Sequence, residues 1–226
     1  MSVARTALLV AVGVGSEFAI GLGLASLFAK EFQGKKAFFL MLLSPMFVMP
    51  IVVGYIFYML FLDRGPVNFI IGSIIGNPGF TFAWTSDPTF SFVAILLTDI
   101  WHWTPLMFLI LLAGMTSLPD EPIRAAKVLG ASNWQIFWHV KMGMLRPIIA
   151  IAVILRAMEL MKFFDEVFIM TGGGPGTSTE TISIYTYLSA VMYTRIGYTS
   201  AAAIIVLIIS VVLIAYAAQP ILRRAR

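Results

Sequence analysis

The chain has 226 residues, 60% of them hydrophobic and 12% charged, with a mean hydropathy of +0.94 and a formal net charge of +4. Ordinary globular chains carry about 25% charged residues, so the balance excludes a soluble domain and points to a polytopic membrane protein. No cysteine is present, which removes disulfides and thiolate metal sites, and the cations flank apolar stretches instead of forming one stripe, so no nucleic-acid partner is expected.

A bilayer core of about 30 Å requires about 20 mostly apolar residues per helix. Five segments qualify: residues 3–29, 37–62, 90–117, 148–170 and 196–222. The expected fold is therefore an all-α bundle of transmembrane helices forming a single domain over residues 1–226. The basic start, Met-Ser-Val-Ala-Arg, runs into apolar sequence without a small-residue cleavage site, and is read as part of a span. An odd number of spans puts the termini on opposite faces. Lys30, Lys35, Lys36, Arg124, Lys127, Lys141, Arg146, Arg223, Arg224 and Arg226 share one face, against Arg5, Arg64 and Arg195 on the other. The excess marks the cytoplasmic side, which receives the C-terminus and the 118–147 loop.

In the first span Glu17 lies near mid-helix among Gly13, Gly15, Gly21 and Gly23. Small residues let helices approach closely in lipid, and Glu17 either lines a pathway or meets a structural partner on a neighbouring helix. Pro45 and Pro50 should break or kink the second span at membrane depth, which is tolerated where the freed backbone faces protein or water. Gly65-Pro66, Asn77-Pro78-Gly79 and Asp87-Pro88 make residues 63–89 a loop around a short apolar segment, 67–75. Trp84 is read there as an interfacial anchor or as a contact for a partner. The third span carries Asp99, Trp101, His102 and Trp103. Two polar residues are too few for a metal site, but ionisable groups inside a membrane are functional candidates by default, and both pathway lining and packing remain open.

Residues 118–147 interrupt the apolar pattern with two short helices. Asp120 is positioned to cap the first, whose opening turn tolerates Pro122, and Gly130 ends it. Ser132 and Gln135 spell a capping box for the second, where Trp134, Phe137, Trp138, Met142 and Leu145 recur at helical spacing. Pro147 marks re-entry into the next span. Ala125 and Ala126 leave little side chain on the first helix, so another protein can approach its backbone; the loop reads as a docking surface. In the fourth span Glu159, Lys162 and Glu166 fall on one helical face with Arg156 and Asp165 flanking it. Such a face must point into protein or water, as an ion-pair ladder or as the lining of a path. The glycine-rich run after it, residues 171–176, lacks the Gly-Lys-Ser/Thr of a phosphate loop and is read as an external turn leading to an amphipathic helix.

The 118–147 segment resembles the "EAA" loop of permease subunits of binding-protein-dependent ABC importers. Ala125, Ala126, Gly130 and Val140-Lys141-Met142 stand at the matching spacing, with Arg124 where the family usually has Glu and Gly143 where it usually has Pro. Phe164, Asp165, Thr171, Gly173, Gly174, Pro175, Thr179, Glu180, Tyr185 and Tyr187 resemble a run typical of the carbohydrate-uptake type. The resemblance implies the type I importer permease fold with cytoplasmic coupling helices, and usually one further span before the first seen here. It implies an ATPase contact through Arg124, Ala125, Ala126, Gly130, Ala131, Ser132, Trp134 and Phe137. Glu17, Asp99, His102, Arg156, Glu159, Lys162 and Asp165 are then candidates for the translocation pathway, and Gly173, Gly174, Pro175, Thr179 and Glu180 form an external loop. Expected partners are a second homologous permease, two ATP-binding ATPase subunits, an extracellular solute-binding protein and membrane lipid. No cofactor is expected on this chain, with ATP and Mg held by the ATPases, and no enzyme activity of its own. The location is a prokaryotic cell membrane and the solute a sugar or related molecule. The competing expectation is an ion-coupled secondary transporter or channel, which internal repeats would favour; none is visible.

Overall fold

Lipid offers no partner for a free N–H or C=O, so an apolar chain of this kind must close its backbone hydrogen bonds within helices. The computed structural model describes the backbone of residues 1–224, and the side chains of all these except 213, 214 and 216–224. Every regular element in the described residues is helical. Among the described residues, two unbroken helices are long and apolar enough to cross a membrane, α1 (Ser2–Phe28) and α5 (Pro88–Thr116). They pack along one another.

Their contact follows from the glycines. A Cβ on Gly21 would stand 3.0 Å from Met107 Cγ and 3.1 Å from the backbone nitrogen of Phe108, so any larger residue would push the helices slightly apart, and dispersion contacts bind them at this distance where lipid supplies no hydrophobic drive. Leu9, Leu22, Ala25 and Phe28 meet Ile95, Met107, Phe108 and Leu111 in the core.

The second segment breaks where its prolines predict. It comprises α2 (Lys35–Leu43), a 3-10 turn (Ser44–Phe47) and α3 (Pro50–Leu60), bent by 98° between the two arms. Val48 is extended (φ −83°, ψ 135°), and so is Met49 (φ −62°, ψ 137°), as expected of the residue before a proline that opens the next helix. In the following loop, α4 (Pro66–Ile74) is fastened by Asn68. The Asn68 Nδ2 group faces the carbonyls of Leu62, Asp63 and Phe82 at 3.3, 2.9 and 2.8 Å, while Trp84 Nε1 donates to Asn68 Oδ1 at 2.8 Å. The Trp84 indole is turned inward against Phe61, Phe82 and Phe90; it fastens the loop internally, which neither sequence expectation for it anticipated. Asp87 then caps α5 through the amides of Thr89 and Phe90.

The 118–147 region holds α6 (Asp120–Val128) and α7 (Asn133–Gln135). The cap position of α6 belongs to Pro119, and Asp120 is the first helical residue, where its charge complements the helix dipole and pairs with Arg124 at 3.2 Å. The Ser132/Gln135 capping box forms as spelled. The helix it starts does not stop before the membrane: it passes through a π turn (Ile136–Lys141) straight into α8 (Met142–Met161), with Pro147 inside. A π turn loosens the hydrogen-bond ladder, and this one ends at Lys141, where α8 takes over.

The fourth segment departs from its sequence pattern. α8 ends at Met161, and after a break at Lys162–Phe164 a short α9 (Asp165–Met170) follows. The freed Phe163 carbonyl accepts from the Thr181 hydroxyl at 3.2 Å, so the break is satisfied from a distant part of the chain, which no local periodicity records. Thr181 also caps α10 (Ile182–Tyr187), which continues through a π turn (Leu188–Met192). The last helix, α11 (Ile196–Arg224), begins where the expected 196–222 span begins and continues to Arg224. Arg226 and the side chains of Arg223 and Arg224, used in the charge count, lie outside the described residues.

Candidate functional site

Three helices contribute charges to one buried point. Arg156 on α8 donates from Nε and Nη2 to the two carboxylate oxygens of Glu17 on α1, both at 2.7 Å, and from Nη2 to Asp99 on α5 at 3.1 and 3.2 Å. All three side chains are at most 1% exposed. The fork of one guanidinium serves two carboxylates, the arrangement for which Arg is suited and Lys is not. Trp103 lies 5.0 Å from the guanidinium carbon and covers it. Glu17 thus meets a partner on a neighbouring helix.

His102 occupies a second buried point one turn along α5. Its Nδ1 is 3.0 Å from Glu166 Oε1 on α9, and its Nε2 is 3.0 Å from the Val48 carbonyl in the break of the second segment. Glu166 belongs to this bridge instead of the expected face with Glu159 and Lys162. The break at Lys162 rotates α9 away from the phase of α8, so the one-face ladder does not form. Lys162 and Asp165 are exposed beside the break, and Glu159, 43% exposed, reaches back to Arg156 at 4.0 Å. The structure thus divides the seven predicted polar residues into a sealed set, Glu17, Asp99, His102 and Arg156, and an open set, Glu159, Lys162 and Asp165.

The loop region has the opposite character. α6 buries no residue, and its end exposes Val128 and Leu129 almost fully, at 87% and 86%. Gly130 adopts φ +82°. Its amide donates to the Lys127 carbonyl and that of Ala131 to the Ala126 carbonyl, both at 3.0 Å, which is the Schellman termination that favours glycine. Ala125 and Arg124 are exposed, Ala126 and Ala131 half-buried, and Ser132 is exposed at its cap. The predicted apolar face divides: Phe137, Met142 and Leu145 turn toward the core, while Trp134 and Trp138 face outward with ring centroids 5.5 Å apart.

The glycine-rich turn closes upon itself. Thr171 and Thr179 hydroxyls lie 2.7 Å apart, Thr179 Oγ1 donates to the Gly174 carbonyl, and the Gly173 amide donates to Thr171 Oγ1. With those groups engaged, Gly173, Gly174 and Pro175 present no row of free amides to an anion. Glu180 bonds Ser2, and Arg5 donates to Thr177 at 3.1 Å, so the turn is tied to the start of α1. Two participants escaped sequence reasoning. Thr181 signals locally only the cap of α10, and its bond to Phe163 leaves no local trace, whereas the Val48 carbonyl was signalled by the Pro45/Pro50 pair as a freed backbone group without a known partner.

The chain is 36% identical over 191 residues to a probable ABC transporter permease protein of Sinorhizobium fredii, covering 84% of this chain and 60% of the relative. It is 34% identical over 207 residues to the sulfoquinovosyl glycerol transport system permease protein of Agrobacterium fabrum, covering 91% and 66%. With the trehalose/maltose transport system permease protein of Thermococcus litoralis it shares 32% over 177 residues, covering 78% and 59%. The chain spans about 60% of the length of these curated relatives. Its fold is that of a chain in the crystal structure of a bacterial ABC transporter involved in the import of the acidic polysaccharide alginate, with a TM-score of 0.86 at 20% identity, over 100% of this chain and 79% of that one. Residues 18–226 match the family of binding-protein-dependent transport system inner membrane components, and the chain belongs to that family.

Proposed function

We propose that the chain is a membrane-spanning subunit of an ATP-driven importer and forms part of the path of a sugar or related solute. The observation that carries the coupling role is the end of α6: a helix with no buried residue, closed by a Schellman turn, that displays Val128 and Leu129 to the outside. Apolar side chains at a polar, cationic turn are stabilised when a partner covers them, and the partner of this reading is a cytoplasmic ATPase subunit holding ATP and Mg. Arg124, Ala125, Ala126, Gly130, Ala131, Ser132 and Trp134 lie on or beside the same surface, while Phe137 anchors it to the core. The C-terminus and this loop then lie in the cytoplasm.

Glu159, Lys162 and Asp165 are assigned to the pathway, because exposed charges at a helix break between membrane segments require water or protein, not lipid. Glu17, Asp99, His102 and Arg156 brace the helices that carry that path. Their burial also works against an ion-coupled mechanism, which would need Glu17 or Asp99 within reach of water. The trehalose/maltose and sulfoquinovosyl glycerol systems named among the relatives support a sugar or glycoside as solute. The remaining partners of this reading are a second homologous permease, an extracellular solute-binding protein meeting the 171–181 turn, and lipid. Copurification tests it: the tagged chain should retain an ATPase subunit, and a Leu129→Asp variant should lose it while still inserting in the membrane. Retention unaffected by Leu129→Asp, Gly130→Val and Trp134→Ala alike would remove the coupling assignment.

A further inference from the structure

A cavity of about 580 Å³ lies between the first half of α1 and α11, and the end of α8 explains it. α8 packs against both of these helices. It stops at Met161, where the Ser210 hydroxyl of α11 lies 3.9 Å from the Met161 sulfur. The chain then breaks away into α9, which packs on α3. Beyond Met161 the space that a continued α8 would fill is left open, and Met161 lies at its inner end.

The walls are hydrocarbon: Val10 and Ala11 of α1 line one side, and Ala202, Val206 and Ile209 of α11 the other. The polar side chains of the lining are already engaged. Thr6 donates to the Ser2 carbonyl at 3.0 Å and accepts from the Ile182 amide at 2.9 Å, Thr186 donates to the Ile182 carbonyl at 2.7 Å, and Ser2 bonds Glu180. A polyhydroxylated solute would leave its hydroxyls unpaired against such walls, which is costly, so the occupant that fits is apolar.

Depth separates a lipid chain from a crossing helix. The cavity follows α1 from Ser2 to Ala11, nine rises of 1.5 Å or about 14 Å. A bilayer core is about 30 Å thick, so the cavity reaches through one leaflet and ends there, whereas a spanning helix would have to continue past Met161. The mouth lies at the end of the bundle opposite the 118–147 loop, and it is cationic. Arg195, Tyr198, Ala202, Val206 and Ile209 follow one another at spacings of three and four, on one helical face, so Arg195 heads the stripe that lines the cavity. It is exposed and makes no salt bridge among the described residues. The Tyr185 hydroxyl of the lining lies 3.1 Å from that of Tyr198, and two hydroxyls bonded to each other keep one O–H free to donate. On the other rim Arg5 donates to Thr177 beside the single carboxylate of Glu180. We propose that this cavity binds an anionic phospholipid of the surrounding bilayer, its acyl chain taking the space that α8 vacates and its phosphate meeting Arg195 and the free tyrosine O–H.

The site needs only a bilayer around the spans, and it stands whichever subunit covers α6. The test reconstitutes the full-length chain, with the subunits that accompany it, into vesicles of equal parts dioleoyl phosphatidylglycerol and dioleoyl phosphatidylcholine. The protein is then re-extracted in detergent and its bound lipid counted by mass spectrometry. The wild type should retain phosphatidylglycerol in preference. Arg195→Gln should lower the ratio of retained phosphatidylglycerol to phosphatidylcholine by about fivefold, the effect of one cation on an anionic lipid. Ala202→Phe and Val10→Phe fill the cavity from opposite walls and should each lose the retained lipid, the second serving where the first does not insert. Ile204→Phe, on the exposed face of α11, should keep it. Lipid retention undiminished in both filling variants would overturn the site, and a ratio unmoved by Arg195→Gln would overturn the head-group contact. Val206→Cys, in a chain with no other cysteine, identifies the occupant in native membranes: cross-linking to lipid alone supports the proposal, and cross-linking to another polypeptide segment would overturn it in favour of a protein helix.

Discussion

The crossing of α1, α5 and α8 and the turn between α6 and α7 are built on opposite arrangements of the same residue types. At the crossing, charges are inside: Glu17, Asp99 and Arg156 are sealed from solvent and satisfy one another. At the turn, apolar side chains are outside: Val128, Leu129 and Trp134 are all largely exposed. A polar group that finds its partners within the chain is a device of folding, whereas an apolar group left without cover is a device of association. Position in the sequence does not separate the two kinds, since all are unusual residues for their surroundings. Their partners do.

The comparison breaks most visibly at Arg156. Arg156→Leu leaves two carboxylates buried without a cation and should cost about 3–5 kcal/mol, read as loss of folded protein from the membrane fraction and a lower unfolding midpoint. Full stability in that variant would mean that the crossing is not a folding device. Leu129→Asp tests the other half. It should leave the midpoint of the isolated chain within about 0.5 kcal/mol but weaken ATPase association by about 2 kcal/mol or more, close to thirtyfold in affinity, measurable by titrating the ATPase onto the solubilised chain. Gly130→Val lies between the two: nothing stands within 4 Å of an added Cβ, so the only intrinsic cost is the left-handed backbone, about 1–2 kcal/mol, confined to the turn and detectable as faster hydrogen exchange at Lys127–Ala131. The smallest effect should come from Lys162→Ala. Lys162 is exposed and makes no salt bridge among the described residues, so stability should move by less than about 0.5 kcal/mol, while solute uptake changes if it lines the path. A loss of several kcal/mol would instead restore the one-face ladder with Glu159 and Glu166.

Lys162 also shows where the sequence stops informing. Helical phase placed it between Glu159 and Glu166, and phase is sound only while the helix continues. The break is stabilised by Thr181, 18 residues further on, and a pairing at that distance leaves no periodic trace. The breaks and caps written into local chemistry were legible: Pro45 and Pro50, the Ser132/Gln135 box, and Gly130 at its helix end. Local chemistry misled at Asp120, where Pro119 took the cap position. It misled again at Pro147, which reads as the start of a span and lies inside a helix already under way from Met142. For the buried charges, residue type predicted that partners must exist, and the glycines of α1 predicted that helices come close enough to provide them. Which carboxylate meets which cation was decided by three segments far apart in the chain, and only the fold brings Glu17, Asp99 and Arg156 together.

The Asn68 fastening has a practical consequence for anyone who needs a handle on this protein. Its hydrogen bonds close the loop below residue 69 and above residue 81, leaving Ile74–Gly79 exposed at the tip, with Gly76 at φ +70° and open space where its Cβ would stand. Loop tips whose backbone carries no tertiary load accept inserted sequence readily. An epitope or a fluorophore-bearing cysteine placed at Gly76, in a chain with no cysteine of its own, would report the sidedness of the loop while the anchor beneath it stays whole.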